Sequence, residues 1–165
     1  VMMAFRIAYF KVHYPLAFYA TYFTLRSDDF NADLVLRGKT FVEDKIKELE
    51  SKGNEMTAKE RGLLTVLEVS LEMYCRGYNL LPVDLYKSHA QRFIIKDKAL
   101  LAPFNSLPGL GTKAAYNIME ARKDNAFISK EDLRGRCKIS KTVIEILDQH
   151  GSLKGLPDSN QLSLF

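Results

Sequence analysis

Leu107-Pro108-Gly109-Leu110-Gly111-Thr112-Lys113-Ala114-Ala115 decides the reading of this 165-residue chain. A glycine-hydrophobe-glycine step turns the backbone tightly, because glycine tolerates the positive φ such a turn needs. Leu110, between the glycines, points inward and pins the turn. A helix then runs from about Thr112 to Arg122, with Ala114 and Ala115 small enough to pack closely on a preceding helix. The backbone N–H groups of the turn, reinforced by the helix N-terminus, form a site for one phosphate. Lys113 adds a charge beside it. A P-loop is excluded, since no GxxxxGK[ST] is present. The competing reading is a plain glycine turn before a helix.

The pattern is that of a helix-hairpin-helix, which grips the DNA backbone without reading bases. A weaker copy follows it. Ser129-Lys130-Glu131-Asp132-Leu133 opens one short helix, and Lys138-Ile139-Ser140-Lys141 leads into Thr142–His150. The hairpin position there lacks glycine, which argues against an equal grip and for a part in completing the core. Arg134, Arg136, Lys138 and Lys141 are its candidate phosphate contacts.

Charge supports this placement. The net charge of +4 is uneven: residues 1–88 hold 12 Lys/Arg and 12 Asp/Glu, whereas residues 89–155 hold 12 against 7. The resulting net +5 lies on the segment that carries the hairpin and suits a polyanionic partner. Composition, at 47% hydrophobic and 27% charged, is that of a folding chain rather than a disordered one. No run of about 18 apolar residues exists, so no transmembrane helix is expected. Arg6, Lys11 and His13 interrupt the apolar start and no small-residue cleavage site follows, which argues against a signal peptide. Cys75 and Cys137 form no CxxC or Cys/His cluster. The expectation is a reduced, cytoplasmic chain without disulfides or structural zinc.

The remaining elements read as mainly helical. Val1–Tyr14 is helix without an N-cap residue, as in a piece cut from a larger protein, and Pro15 starts a second helix to about Leu25. Nine of the 18 aromatic residues fall in the first 30 positions, a density that suits packing against a larger body. Thr40 with Glu43, and Thr57 with Glu60, read as capping boxes for helices ending near Gly53 and Gly77. His150 reads as a helix C-terminal residue favourable to the dipole. Leu80–Leu85 is extended around Pro82, and Arg92–Ile95 with Ala99–Leu101 form a short β-hairpin. Asp28-Asp29 falls in a loop and is not the Asp-x-Asp of a polymerase metal site, and the three histidines are scattered. No catalytic residue, metal site or cofactor is assigned to this segment.

The chain ends in Gln161-Leu162-Ser163-Leu164-Phe165, after a polar turn-like stretch from residue 156. Apolar anchors on a flexible tail suit docking into a partner's pocket. The peptide resembles the bacterial sliding-clamp-binding pattern Gln-Leu-Ser/Asp-Leu-Phe at every position.

With both motifs placed, the whole chain resembles the C-terminal end of the alpha subunits of bacterial replicative DNA polymerase III, family C, of the Gram-positive PolC type. The resemblance rests on Arg6-Ile7-Ala8-Tyr9-Phe10-Lys11-Val12-His13-Tyr14-Pro15, Leu80–Ser88, Pro103–Gly111 and the final pentapeptide. It implies that residues 1–88 end a helical fingers domain, with Arg6, Lys11 and His13 as nucleotide or template contacts, unless they only pack and solvate a helix face. Residues 89–155 would form a tandem helix-hairpin-helix module on duplex DNA, through Gly109, Leu110, Gly111, Thr112 and Lys113 and the second hairpin's cations. Residues 156–165 would carry the tether to the clamp. The catalytic carboxylates and Mg²⁺ of such a nucleotidyltransferase would lie in a palm outside this segment. Two other readings stay open: a repair or recombination protein with a helix-hairpin-helix and a clamp tail, and a noncatalytic clamp-interaction module.

Overall fold

The computed structural model describes residues 1–159. Its first helices, α1 (Met2–His13) and α2 (Pro15–Leu25), part where Pro15 has no N–H to give the first ladder and opens the second. α1 buries none of its residues; Met2, Phe5, Phe10 and Val12 all stand exposed. α2 buries Tyr19, Ala20 and Phe23, and burial pushes the Tyr19 hydroxyl up to about 12. The short α3 (Ala32–Val35), capped by Asn31 Oδ1 on the Leu34 N–H at 3.3 Å, was not expected from the sequence.

Of the two expected capping boxes, one forms. α4 (Lys39–Ser51) starts at an N-cap of Gly38 with φ 93° and no side-chain cap, so Thr40 falls inside the first turn rather than before it. Only glycine enters that backbone region freely, and this moves the start by two residues. α5 (Ala58–Cys75) carries the full reciprocal box, in which Thr57 N–H donates to the Glu60 carboxylate and Glu60 N–H to Thr57 Oγ1. Hydrogen bonds from Lys52 and then Thr57 hold the Glu60 carboxyl down at about 2. α4 packs along α5, burying Val42, Ile46 and Leu49 with Val66, Leu67 and Met73.

A three-stranded sheet follows, among the described residues, in the order β1 (Asn79–Leu81), β3 (Ala99–Leu101), β2 (Ile94–Lys96). The expected hairpin is the antiparallel β2–β3 pair, with Ile95 opposite Leu100. Its other neighbour is a finding: β1 runs parallel to β3, Leu80 opposite Leu100. The chain then makes a 3-10 turn at Phe104–Ser106 and three helices: α6 (Thr112–Ala121), α7 (Lys130–Cys137) and α8 (Lys141–Gln149). The element before the first hairpin is thus that single 3-10 turn and not a regular helix. Ala115 is fully buried beyond it.

Sheet and core both cross the expected division at residue 88. One buried cluster runs from Tyr19 to Leu153, and Phe93 packs on Phe23 and Phe30 at centroid distances of 5.6 and 4.8 Å. His150 does more than face a dipole. Its Nε2 accepts the Val83 N–H at 3.0 Å and its Nδ1 lies 2.9 Å from the Asp33 carboxylate, so one ring joins three distant segments. Leu156–Asp158, read from sequence as part of a free tail, returns to α7. Lys130 and Glu131 donate their N–H groups to the carbonyls of Pro157 and Asp158, which satisfies two of the donors a helix start leaves open. Gln161–Phe165 lies outside the described residues.

Candidate nucleic-acid interface

The first hairpin is built by residues that differ in what they require. Gly109 has φ 87°, a backbone conformation that favours glycine, whereas a Cβ there would meet only the terminal Cδ1 of Ile146 at 2.9 Å, a side-chain end that can shift. Leu110 is 3% exposed, and its N–H donates to the Leu107 carbonyl at 3.1 Å, which closes the turn over the core. Gly111 has an ordinary φ of −69° and serves as the N-cap of α6. The positive φ expected of the turn is therefore taken at Gly109 and not at Gly111. Gly111 brings no capping side chain, so the first N–H groups of α6 keep no side-chain partner, beside exposed Thr112 and Lys113. Such donors at the positive end of a helix dipole suit an anionic oxygen.

The second hairpin repeats this geometry without glycine. Lys138 takes the left-handed conformation (φ 51°, ψ 46°) and donates its N–H to the Arg134 carbonyl. Ile139 is 7% exposed, the counterpart of Leu110. Ser140 is the N-cap of α8, and its Oγ accepts the Val143 N–H at 3.3 Å. Gly109-Leu110-Gly111 and Lys138-Ile139-Ser140 thus match position by position: left-handed residue, buried apolar residue, N-cap. Sequence reading places this second hairpin as a weaker copy because neither glycine is repeated.

The candidate cations divide into two groups. Lys113, Arg134 and Lys138 project from exposed positions, and Lys141 does so while lying 3.6 Å from the Glu145 carboxylate. Arg136 turns inward instead. It donates to the carbonyls of Ala121, Asn125 and Ala126, pairs with Asp132 and lies 4.6 Å from the centroid of the Phe127 ring. Arg6, Lys11 and His13 sit on α1, where Lys11 reaches across to α5 and His13 contacts its own helix. Lys11 pairs with Glu72 at 2.7 Å and the His13 ring lies tilted against Tyr9 at 4.3 Å between centroids, while Arg6 is exposed.

Other side chains brace the hairpins from behind. Asn117 donates to the Cys137 carbonyl at 2.9 Å, tying α6 to the base of the second hairpin. Arg122 donates to the Leu85 carbonyl at 3.0 Å and covers the Phe104 ring, and burial lowers its guanidinium below the usual range. No local pattern in the sequence marks either as a brace. Burial pushes the Cys137 thiol up to about 11, which keeps it a packing group. Among the described residues no three His, Cys, Asp or Glu gather where they could hold a metal ion, and no helix is long and apolar enough to cross a membrane.

Comparison with known proteins agrees with this geometry. Over all 165 residues the chain is 61% identical to DNA polymerase III PolC-type of Caldanaerobacter subterraneus subsp. tengcongensis, 58% to that of Clostridium perfringens and 55% to that of Bacillus subtilis. It spans only 11–12% of the length of these curated relatives. A family model described as the helix-hairpin-helix motif matches residues 77–162, which takes in both hairpins. With more than half of its residues matched by that model, the chain belongs to the helix-hairpin-helix family.

Proposed function

We propose that this chain is the DNA-holding and clamp-tethering part of a replicative DNA polymerase. The observation that carries the first half is the paired hairpin: two left-handed turns, two buried apolar pins and two helix N-termini, with Lys113 and Lys138 exposed beside them. One hairpin offers backbone donors to one phosphate oxygen; two on one module suit a duplex held at two points. Neither presents a pattern of side chains for base edges, so the grip is independent of sequence. Similarity to PolC-type polymerases along the whole chain supports the parent activity, DNA-directed DNA synthesis in the cytoplasm. In that assignment residues 1–88 belong to the fingers, residues 89–155 hold duplex product, and the palm carboxylates with their Mg²⁺ lie elsewhere in the whole protein.

The clamp tether rests on the residues Gln161-Leu162-Ser163-Leu164-Phe165 alone. A weak peptide contact to a ring on DNA raises the local concentration of the polymerase without adding any contact to the duplex.

Titration of several unrelated duplexes tests the DNA assignment. Affinities should agree across sequences and fall steeply with salt as phosphate contacts release counterions. Sequence-dependent binding, or binding indifferent to salt, would reject it. Removing residues 161–165 should abolish capture on an immobilised sliding clamp and leave duplex affinity unchanged. Retained capture rejects the tether.

A further inference from the structure

Arg136 stands in the last turn of α7, two residues before the second hairpin, yet its guanidinium faces the other way. It reaches the connector between α6 and α7, donating to the Ala121 carbonyl at the end of α6, to Asn125 at 3.0 Å and to Ala126 at 3.4 Å. The Ala121 carbonyl belongs to a helix C-terminus, where unpaired acceptors and the negative end of the dipole favour a cation. Asp132 closes the arrangement from one turn earlier on α7 at 3.3 Å, and the same carboxylate accepts the Ile128 N–H. Phe127, 4% exposed, lies under the guanidinium, and its own N–H donates to Tyr86 Oη. α6 carries the first hairpin at its N-terminus, and α7 leads into the second. One side chain therefore ties the far end of the first hairpin's helix to the base of the second hairpin.

We propose that Arg136 is a positioning residue: it fixes the spacing and orientation of the two hairpins so that both grip one duplex at once, and it touches no phosphate itself. The inference rests on the DNA-holding reading above and adds how the two grips are made to act together. Only a planar, five-donor guanidinium can serve three carbonyls, a carboxylate and a ring face simultaneously; a lysine carries the same charge as a single point. This separates a positioning role from a phosphate contact, for which charge alone would go far.

The test is a set of salt titrations on short duplex DNA with the 165-residue chain, comparing wild type, R136K, K138A, K113A and the doubles R136K/K138A and R136K/K113A. R136K should lose about fivefold in affinity although the charge is kept. In the wild-type background K138A and K113A should each lower the salt slope by about one unit. In the R136K background K113A should still do so, while K138A should change little, because the second hairpin no longer reaches the duplex. R136K binding like wild type, or K138A acting equally in both backgrounds, overturns the proposal. Should R136K fail to fold, D132N removes one arm and leaves the carbonyls. It should show a smaller loss of the Lys138 effect, and an unchanged effect overturns the proposal. A wild-type chain that ignores duplex DNA overturns the functional reading together with this one; a wild type that binds but gives an additive cycle overturns this one alone.

Discussion

The first hairpin places glycine where the backbone turns left-handed, and the second places Lys138 there. For glycine the conformation is free of penalty; for an L residue it costs about 1–2 kcal/mol. The reverse holds at the N-cap. Ser140 satisfies a helix donor with its own hydroxyl, whereas Gly111 leaves the equivalent donors of α6 without a side-chain partner. The first hairpin is thus arranged to offer backbone N–H groups, and the second to offer a side-chain charge on a capped helix. Two routes lead to one geometry, and on the proposed function they would divide the means of holding phosphate between them.

The largest effect should come from what the hairpins share. Leu110→Ala and Ile139→Ala each remove a buried pin and should cost about 2–4 kcal/mol of stability in urea unfolding, with Leu110, the more buried of the two, costing more. Equal costs below about 1 kcal/mol would mean that the pins do not hold the turns. Next come the left-handed positions, where substitution should act with opposite signs. Gly109→Ala forces a Cβ into the left-handed region and should destabilise by about 1–2 kcal/mol, since the Ile146 methyl it meets can shift aside. Lys138→Gly should stabilise by about 1 kcal/mol and yet bind duplex more weakly, because the charge is lost. A destabilised K138G would end the comparison. The smallest effect belongs to Gly111→Ser, which copies the second hairpin's cap onto the first. Its stability should change by only a few tenths of a kcal/mol, while duplex affinity falls because the new hydroxyl occupies an N–H meant for phosphate. Unchanged affinity would show that those donors are not used.

Local punctuation made much of this fold legible. Pro15 marks the α1–α2 break, the Thr57–Glu60 pair marks the start of α5, and Gly109-Leu110-Gly111 marks the first hairpin and α6. What stayed hidden depends on distant partners or on backbone states that no residue type announces. Lys138 in a left-handed turn looks like any surface lysine, so the second hairpin read as the weaker one. Arg136 counted as a phosphate contact because its charge is visible in sequence and its direction is not. β1 finds its place only through β3, and His150 only through Asp33 and Val83, partners 117 and 67 residues away. Thr40 misled because a glycine two residues earlier took over the N-cap.

The central claim is that both hairpins hold one duplex by its phosphates, each with its own lysine. It is tested most directly by the salt dependence of duplex binding in the wild-type chain and in the double variant K113A/K138A. The account predicts a slope of log affinity against log salt that is shallower by about two units in the variant, with the same loss on every duplex sequence. A slope unchanged from wild type would contradict it.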